Sequence, residues 1–139
     1  MAKLVKGDKF PDFTVDTHMK KGVKISEIVD GKPTALLVIR YIGCTVCRYD
    51  VHQIAVNYQK FVDRGLNVAV VMQSTAENVN KDLERTKETL PYPIVCDPEE
   101  KIYKELEILP AESMEALVGG DMAGLQAKGA RAARRGYVH

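Results

Sequence analysis

The sequence predicts an α/β domain in which a parallel sheet carries helices on both faces. Three observations support this. Strand-like and helix-like stretches alternate between Thr34 and Glu107, the grammar of parallel strands joined by helical crossovers. Two strand-like stretches, Ala35–Ile39 and Leu66–Met72, are continuous or nearly continuous apolar runs, as expected of strands shielded on both faces. The chain has 139 residues, of which 45% are hydrophobic and 28% charged. That is enough for one domain with its own core, in a composition unlike that of disordered chains.

The elements follow in order. Residues 7–17 place Phe10, Phe13 and Val15 beside turn formers, a leading arm with a short extended piece. Lys21-Gly22 is a turn, after which Val23 and Ile25 pair briefly. Ser26 caps a helical turn that ends at Asp30-Gly31. Thr34 to Tyr41 is the clearest strand, and it breaks at Ile42-Gly43. From Val46 the period changes: Val51, Ile54, Ala55, Tyr58, Phe61 and Val62 recur at helical spacing through Asp63, with Gly65 as the stop. Leu66–Met72 is a second buried strand. Ser74 or Thr75 caps a helix with Val79, Leu83 and Thr86 on its inner face. Leu90-Pro-Tyr-Pro introduces the strand Ile94–Cys96, and Asp97-Pro98 opens a helix to about Glu107 with Ile102, Tyr103 and Leu106 inward.

These elements make residues 1–108 one domain. Leu109-Pro110 breaks the chain, and residues 109–139 form a Gly/Ala-rich basic tail. Its apolar residues Met114, Leu117, Val118, Met122 and Leu125 are interrupted by glycines, which predicts two short helices or a loosely helical segment. Lys128, Arg131, Arg134 and Arg135 read as a solvated face.

Charge narrows the partners. Twenty basic residues against 19 acidic ones give a net charge of +1, which argues against a nucleic-acid binder. No apolar run approaches the roughly 18–20 residues that span a bilayer, and the first residues lack a signal-peptide core. Three cysteines do not suit a secreted disulfide scaffold. A cytoplasmic protein without nucleic-acid or membrane partners is expected.

The chemistry sits at Cys44-Thr45-Val46-Cys47, which follows a strand and opens a helix. Unpaired N–H groups and the helix dipole at such a point favour a thiolate, and the thiolate is the nucleophile. The two-residue spacing puts both sulfurs on the first turn, close enough for a small-ring disulfide, so a redox motif is the first reading. A packed, unreactive pair is the plain alternative. A zinc site would need Cys96 and His52 to complete four ligands, yet Cys96 lies on a separate strand. Arg40, just before the loop, either favours thiolate ionisation or simply reaches solvent. Arg48, on the first helical turn, has the same two readings, and its opposition to the helix dipole suggests a counter-anion such as a nearby carboxylate. Tyr41 shields the pair or packs, and Thr45 lines the site. Cys96 reads as a structural thiol, His52 as a packed or surface residue, and His18 as a loop residue without a partner.

Gly7-Asp8-Lys9-Phe10-Pro11-Asp12-Phe13, the strand into Cys44–Cys47, and Tyr92-Pro93-Ile94-Val95-Cys96-Asp97-Pro98 together resemble the peroxiredoxin-like AhpC/TSA branch of the thioredoxin-fold superfamily. The resemblance covers about residues 6–108. It implies a thioredoxin-like sheet and a thiol redox enzyme that reduces peroxide or disulfide substrates. It also implies a dithiol reductant, such as a thioredoxin-type protein, and no metal or organic cofactor. The peroxiredoxin Pro, Thr and peroxidatic Cys align with Arg40, Cys44 and Cys47, so only the last matches. By that alignment Cys47 attacks and Cys44 resolves; by analogy with thioredoxin, Cys44 attacks and Cys47 resolves. We take Cys44 as the attacking thiol. The rival functions are a non-catalytic interaction domain and a zinc-binding module.

The resemblance also implies two more strands and a helix, the first strand pairing with Thr34–Tyr41. No such run follows residue 108. The expected cause is a truncated chain; otherwise the tail covers the edge or a second copy pairs across it as a homodimer. An uncovered apolar edge invites association.

Overall fold

The computed structural model describes residues 3–110, 113, 119 and 121–137. Met114, Leu117, Val118, Val138 and His139 lie outside them. The elements are β1 (Thr14–Thr17), β2 (Val23–Lys24), α1 (Ile25–Val29), β3 (Thr34–Val38), α2 (Thr45–Val56), α3 (Tyr58–Asp63), β4 (Asn67–Met72), α4 (Ala76–Thr86), β5 (Ile94–Cys96), α5 (Lys101–Glu105) and α6 (Met122–Arg134). The sheet order is β2-β1-β5-β4-β3. β3, β4 and β5 run parallel, with Leu37 opposite Val70 and Val71 opposite Val95. β1 joins β5 antiparallel, and β2 closes a short antiparallel pair with β1. The sheet is therefore mixed, its parallel part being the predicted one.

Alternation along β4 divides the core between the two faces. Val68, Val70 and Met72 meet Val51 of α2 and Val79 and Leu83 of α4. Val71 on the other face meets Ile25 of α1 and Ile102 and Tyr103 of α5. Phe10 and Phe13 of the leading arm pack against that second cluster, their rings edge to face at 6.0 Å.

β3 is the edge of the sheet, in line with the lack of a later strand-like run to pair with it, but its faces depart from expectation: its residues are only half-buried, with Val38 exposed. Its apolar run reflects two occupied faces, not two occupied edges. Among the described residues no strand pairs with its outer side. The predicted long helix breaks at Asn57, whose backbone N–H and side-chain amide both donate to the Gln53 carbonyl, at 3.0 and 2.8 Å; a side chain that bonds its own backbone competes with the helical ladder.

Two caps also differ, and a third is decided between its two candidates. Ser26 does not cap α1: its N–H and hydroxyl both donate to the Asp12 carboxylate, at 2.9 and 2.8 Å. Thr75, not Ser74, caps α4 by accepting from Asn78 N–H at 3.1 Å. Asp97 serves α5 across an intervening turn, its carboxylate accepting from the N–H groups of Lys101 and Ile102 at 2.9 and 2.8 Å.

In the tail, α6 is capped by Asp121, which accepts from Gly124 N–H at 2.9 Å. The helix packs on α2. Lys128 is 2.5 Å from Asp50, and the Arg131 guanidinium lies 6.0 Å from the Tyr49 ring centroid. The basic face predicted as solvated is thus partly engaged, because α2 offers it an acid and an aromatic ring.

Candidate active site

The site is built where β3 hands the chain to α2. Beyond Val38 the backbone stays tied to β4: Ile39 N–H donates to the Val71 carbonyl at 3.0 Å, and Gln73 N–H donates to the Arg40 carbonyl at 2.6 Å. The chain then turns, Cys44 N–H bonding to the Tyr41 carbonyl at 3.1 Å. Ile42 drops into the core, and its N–H donates to the Ser74 hydroxyl at 2.9 Å. Gly43 packs closely against Tyr41: a Cβ there would stand 3.0 Å from the ring, which would have to shift.

Cys44 is the N-cap of α2, and its carbonyl accepts the first helical bond from Arg48 N–H at 2.8 Å. No side chain caps this end, and no acidic residue lies in the first turn. The positive end of the helix is left for a thiolate.

The two thiols differ. Cys44 is half-buried, whereas Cys47 is only 7% exposed, and neither is in a disulfide. Their side chains lie within hydrogen-bonding reach of each other. Burial pushes the Cys47 thiol up to about 11, and the neighbouring Cys44 adds to this; the backbone N–H groups of Arg40 and Tyr41, which bond to the sulfur, pull the other way. A groove of about 490 Å³, lined by Tyr41, Gly43, Ser74, Asn78, Lys81 and Pro98 among others, runs beside the loop.

The charged candidates take other positions. The Arg40 guanidinium is exposed and stands 5.2 Å from the Tyr41 ring centroid; Arg40 and Tyr41 reach Cys47 through their main chain. Thr45 is the half-buried first residue of α2. Arg48 is fully buried and holds the carboxylate its position called for. Its Nε is 2.5 Å from Asp82, and its Nη2 is 2.6 Å from Glu88 and 2.9 Å from Thr86. Its guanidinium also lies over the Tyr137 ring at 4.3 Å. The charge of Arg48 is thus committed to a clasp rather than to the thiols.

His52 extends that clasp, its Nδ1 standing 3.0 Å from Glu88, and the Tyr137 hydroxyl donates to the same carboxylate at 2.9 Å. Burial is the largest influence on Glu88 and raises it, but the bonds from Arg48, His52 and Tyr137 prevail and hold it below its ordinary range. Cys96 is buried on β5 and pushed up to about 12 by burial. Among the described residues no three His, Cys, Asp or Glu side chains converge on a metal site, so Cys96 and His52 are not brought to the pair. His18 has a partner after all: its Nδ1 accepts from Ile94 N–H at 3.1 Å, with burial holding its pKa below the ordinary value.

Sequence reading missed Tyr103, Ser74, Asp82 and Glu88 as supports of this end of the sheet. The charge of Arg48 against the helix dipole is the one sequence signal that points to the two acids.

The AhpC/TSA family model matches residues 6–129. No curated protein matches the sequence. Among solved structures, the chain is similar to a cysteine-to-serine mutant of peroxiredoxin 6 of Arenicola marina, at 16% identity and TM-score 0.71 over 79% of this chain and 52% of that one. It is similar to the yeast mitochondrial 1-Cys peroxiredoxin at 17% identity and TM-score 0.69, over 76% of this chain and 52% of that one. It is also similar to a protein assigned as the thiol:disulfide interchange protein DsbE of Chlorobium tepidum, at 22% identity and TM-score 0.63, over 77% and 73%. The chain thus spans about half the length of these two peroxiredoxins, and the likeness is one of fold: a thioredoxin-like sheet with its flanking helices. The family match runs from the leading arm into α6, and the chain belongs to the AhpC/TSA family.

Proposed function

We propose that the chain is a thiol-disulfide oxidoreductase in which Cys44 attacks and Cys47 resolves. The observation that carries this is the asymmetry of the pair. Cys44 is the more accessible thiol at an uncapped helix N-terminus, while Cys47 sits behind it, 7% exposed and within reach. A sulfur must be both reachable and ionisable to begin an exchange.

The Cys44 thiolate attacks one sulfur of a substrate disulfide. That S–S bond breaks, and the departing thiolate takes up a proton. The Cys47 thiol then loses its proton and attacks Cys44 Sγ in the mixed disulfide, forming the Cys44–Cys47 bond and releasing the second substrate thiol. The substrate gains two electrons, the pair loses two, and a dithiol donor returns the pair to its reduced form. No cofactor enters this scheme, and a cytoplasmic location is part of the proposal. Family membership supports a second reading, reduction of a peroxide, in which Cys47 forms the sulfenic acid; its burial disfavours it as the first thiol to react.

The test is trapping. Cys47→Ser should accumulate a mixed disulfide on Cys44 when given a small disulfide, and Cys44→Ser should accumulate none. Rapid sulfenic acid formation at Cys47 of Cys44→Ser on adding hydrogen peroxide would replace this assignment with the peroxidase one.

A further inference from the structure

Tyr103 is a buried tyrosine with no part in the exchange chemistry, yet it touches the frame of the site. Its hydroxyl, projecting from α5, donates to the Ile39 carbonyl at 2.5 Å and stands 3.2 Å from the Val71 carbonyl. The Ile39 carbonyl belongs to the same peptide group as Arg40 N–H, one of the two amides bonded to the Cys47 sulfur. A peptide group is planar, and no cis bond occurs among the described residues, so its carbonyl and N–H point in opposite directions. Fixing one end fixes the aim of the other. A hydrogen bond to the carbonyl also polarises the group and strengthens its N–H as a donor.

The next peptide repeats the pattern. Its carbonyl, on Arg40, accepts from Gln73 N–H at 2.6 Å, and its N–H, on Tyr41, also bonds to Cys47. Two consecutive amides are thus held from behind, one by the main chain of the β4–α4 loop and one by a side chain. We infer that Tyr103 is a positioning residue for the Cys44–Cys47 pair, acting through the Ile39–Arg40 peptide group that it holds against the Cys47 sulfur.

The titratable groups around that sulfur are Cys44 on its own helix and Tyr103 on α5. Burial, followed by the charges of Asp97 and Cys47, raises Tyr103 well above the ordinary phenol range. Its proton therefore stays in place and the hydroxyl remains a donor. The inference rests on the proposed role of the pair for its kinetic consequence, because resolution proceeds through the Cys47 thiolate.

Tyr103→Phe keeps the ring and deletes the donor. It should leave attack by Cys44 unchanged and slow decay of the mixed disulfide about threefold to tenfold. In a Cys44→Ser background, the Cβ shift of isotope-labelled Cys47 should titrate about half a unit to one unit higher than without the change. Tyr92→Phe is the control: it deletes a comparable buried bond, to the Val51 carbonyl at 2.6 Å, and should lower stability without moving either readout. The inference is overturned if Tyr103→Phe lowers stability alone, or if Tyr92→Phe moves the Cys47 titration equally. If no mixed disulfide forms at all, the oxidoreductase reading fails while the Cβ titration still tests the relay. Should Tyr103→Phe not fold, the Arg40 amide proton of the unmodified sequence is read across pH. A downfield step that tracks Cys47 ionisation supports the relay, and a flat trace overturns it.

Discussion

Cys47 and Arg48 are adjacent in sequence and both are buried on α2, yet they occupy opposite kinds of environment. One residue along a helix is a rotation of about 100°. That step takes Cys47 to the loop after β3, where the backbone amides of Arg40 and Tyr41 and the Cys44 thiol meet its sulfur. It takes Arg48 to α4 and the chain beyond, where Asp82, Glu88, Thr86 and Tyr137 close around the guanidinium. The lesson is that the Cys47 sulfur is tuned by main-chain groups of fixed direction, while the nearby charge holds the helix in place. A buried cation already paired with two carboxylates has little left to give a thiol on another face.

Four perturbations would break or sharpen this contrast. The largest concerns the sulfur side: Cys44→Ser should reduce disulfide-exchange turnover by about a thousandfold or more, since the bond-forming atom is gone. Arg48→Met should change the rate of Cys44 attack by less than about tenfold in the protein that remains folded. Equal losses from the two changes would erase the contrast.

On the clasp side, Arg48→Met should cost up to about 3–5 kcal/mol in denaturant unfolding, because it takes the buried cation from Asp82, which keeps the more exposed Arg85, and from Glu88, which keeps His52 and Tyr137. A loss below about 1 kcal/mol would show that the clasp is dispensable.

The third perturbation is pH. Cys47 is raised from 9.0 to about 11 in the folded chain. The folded state therefore keeps this proton at pH values where the unfolded state has lost it. This stabilisation is complete below pH 9 and fades as the pH climbs towards 11. Reduced protein should lose on the order of 2–3 kcal/mol over that window relative to the oxidised form, which has no thiol at Cys44 or Cys47. Parallel pH profiles of the two forms in denaturant melts would contradict the burial of Cys47.

The smallest effect is at the outer contact of α6. Lys128→Met, which removes the partly exposed pair with Asp50, should change stability by no more than about 1 kcal/mol.

What could be read from the sequence follows the range of the forces involved. The succession of β3, α2, β4, α4 and β5 was legible because hydrophobic period and cap residues are local signals. The helix start at Cys44 was legible for the same reason. The edge position of β3 is legible only through the lack of a strand-like run after residue 108, since the apolar run itself reports covered faces and says nothing of which strand lies alongside. Arg48 announced that it needed an anion but could not name Asp82 and Glu88, which lie 34 and 40 residues away. Arg40 and Tyr41 stand out in the sequence for their side chains, whereas the structure uses their amides, which every residue except proline carries. Tyr103 looked like one more inward residue of a helix; only the tertiary fold brings its hydroxyl to the Ile39 carbonyl.

The most direct measurement is competitive alkylation of the reduced protein at limiting reagent and neutral pH, with each cysteine followed by peptide mass spectrometry. The account predicts that Cys44 is modified first, with Cys47 and Cys96 protected until the protein unfolds. Modification of Cys47 ahead of Cys44 would contradict it and would hand the attacking role to the buried sulfur.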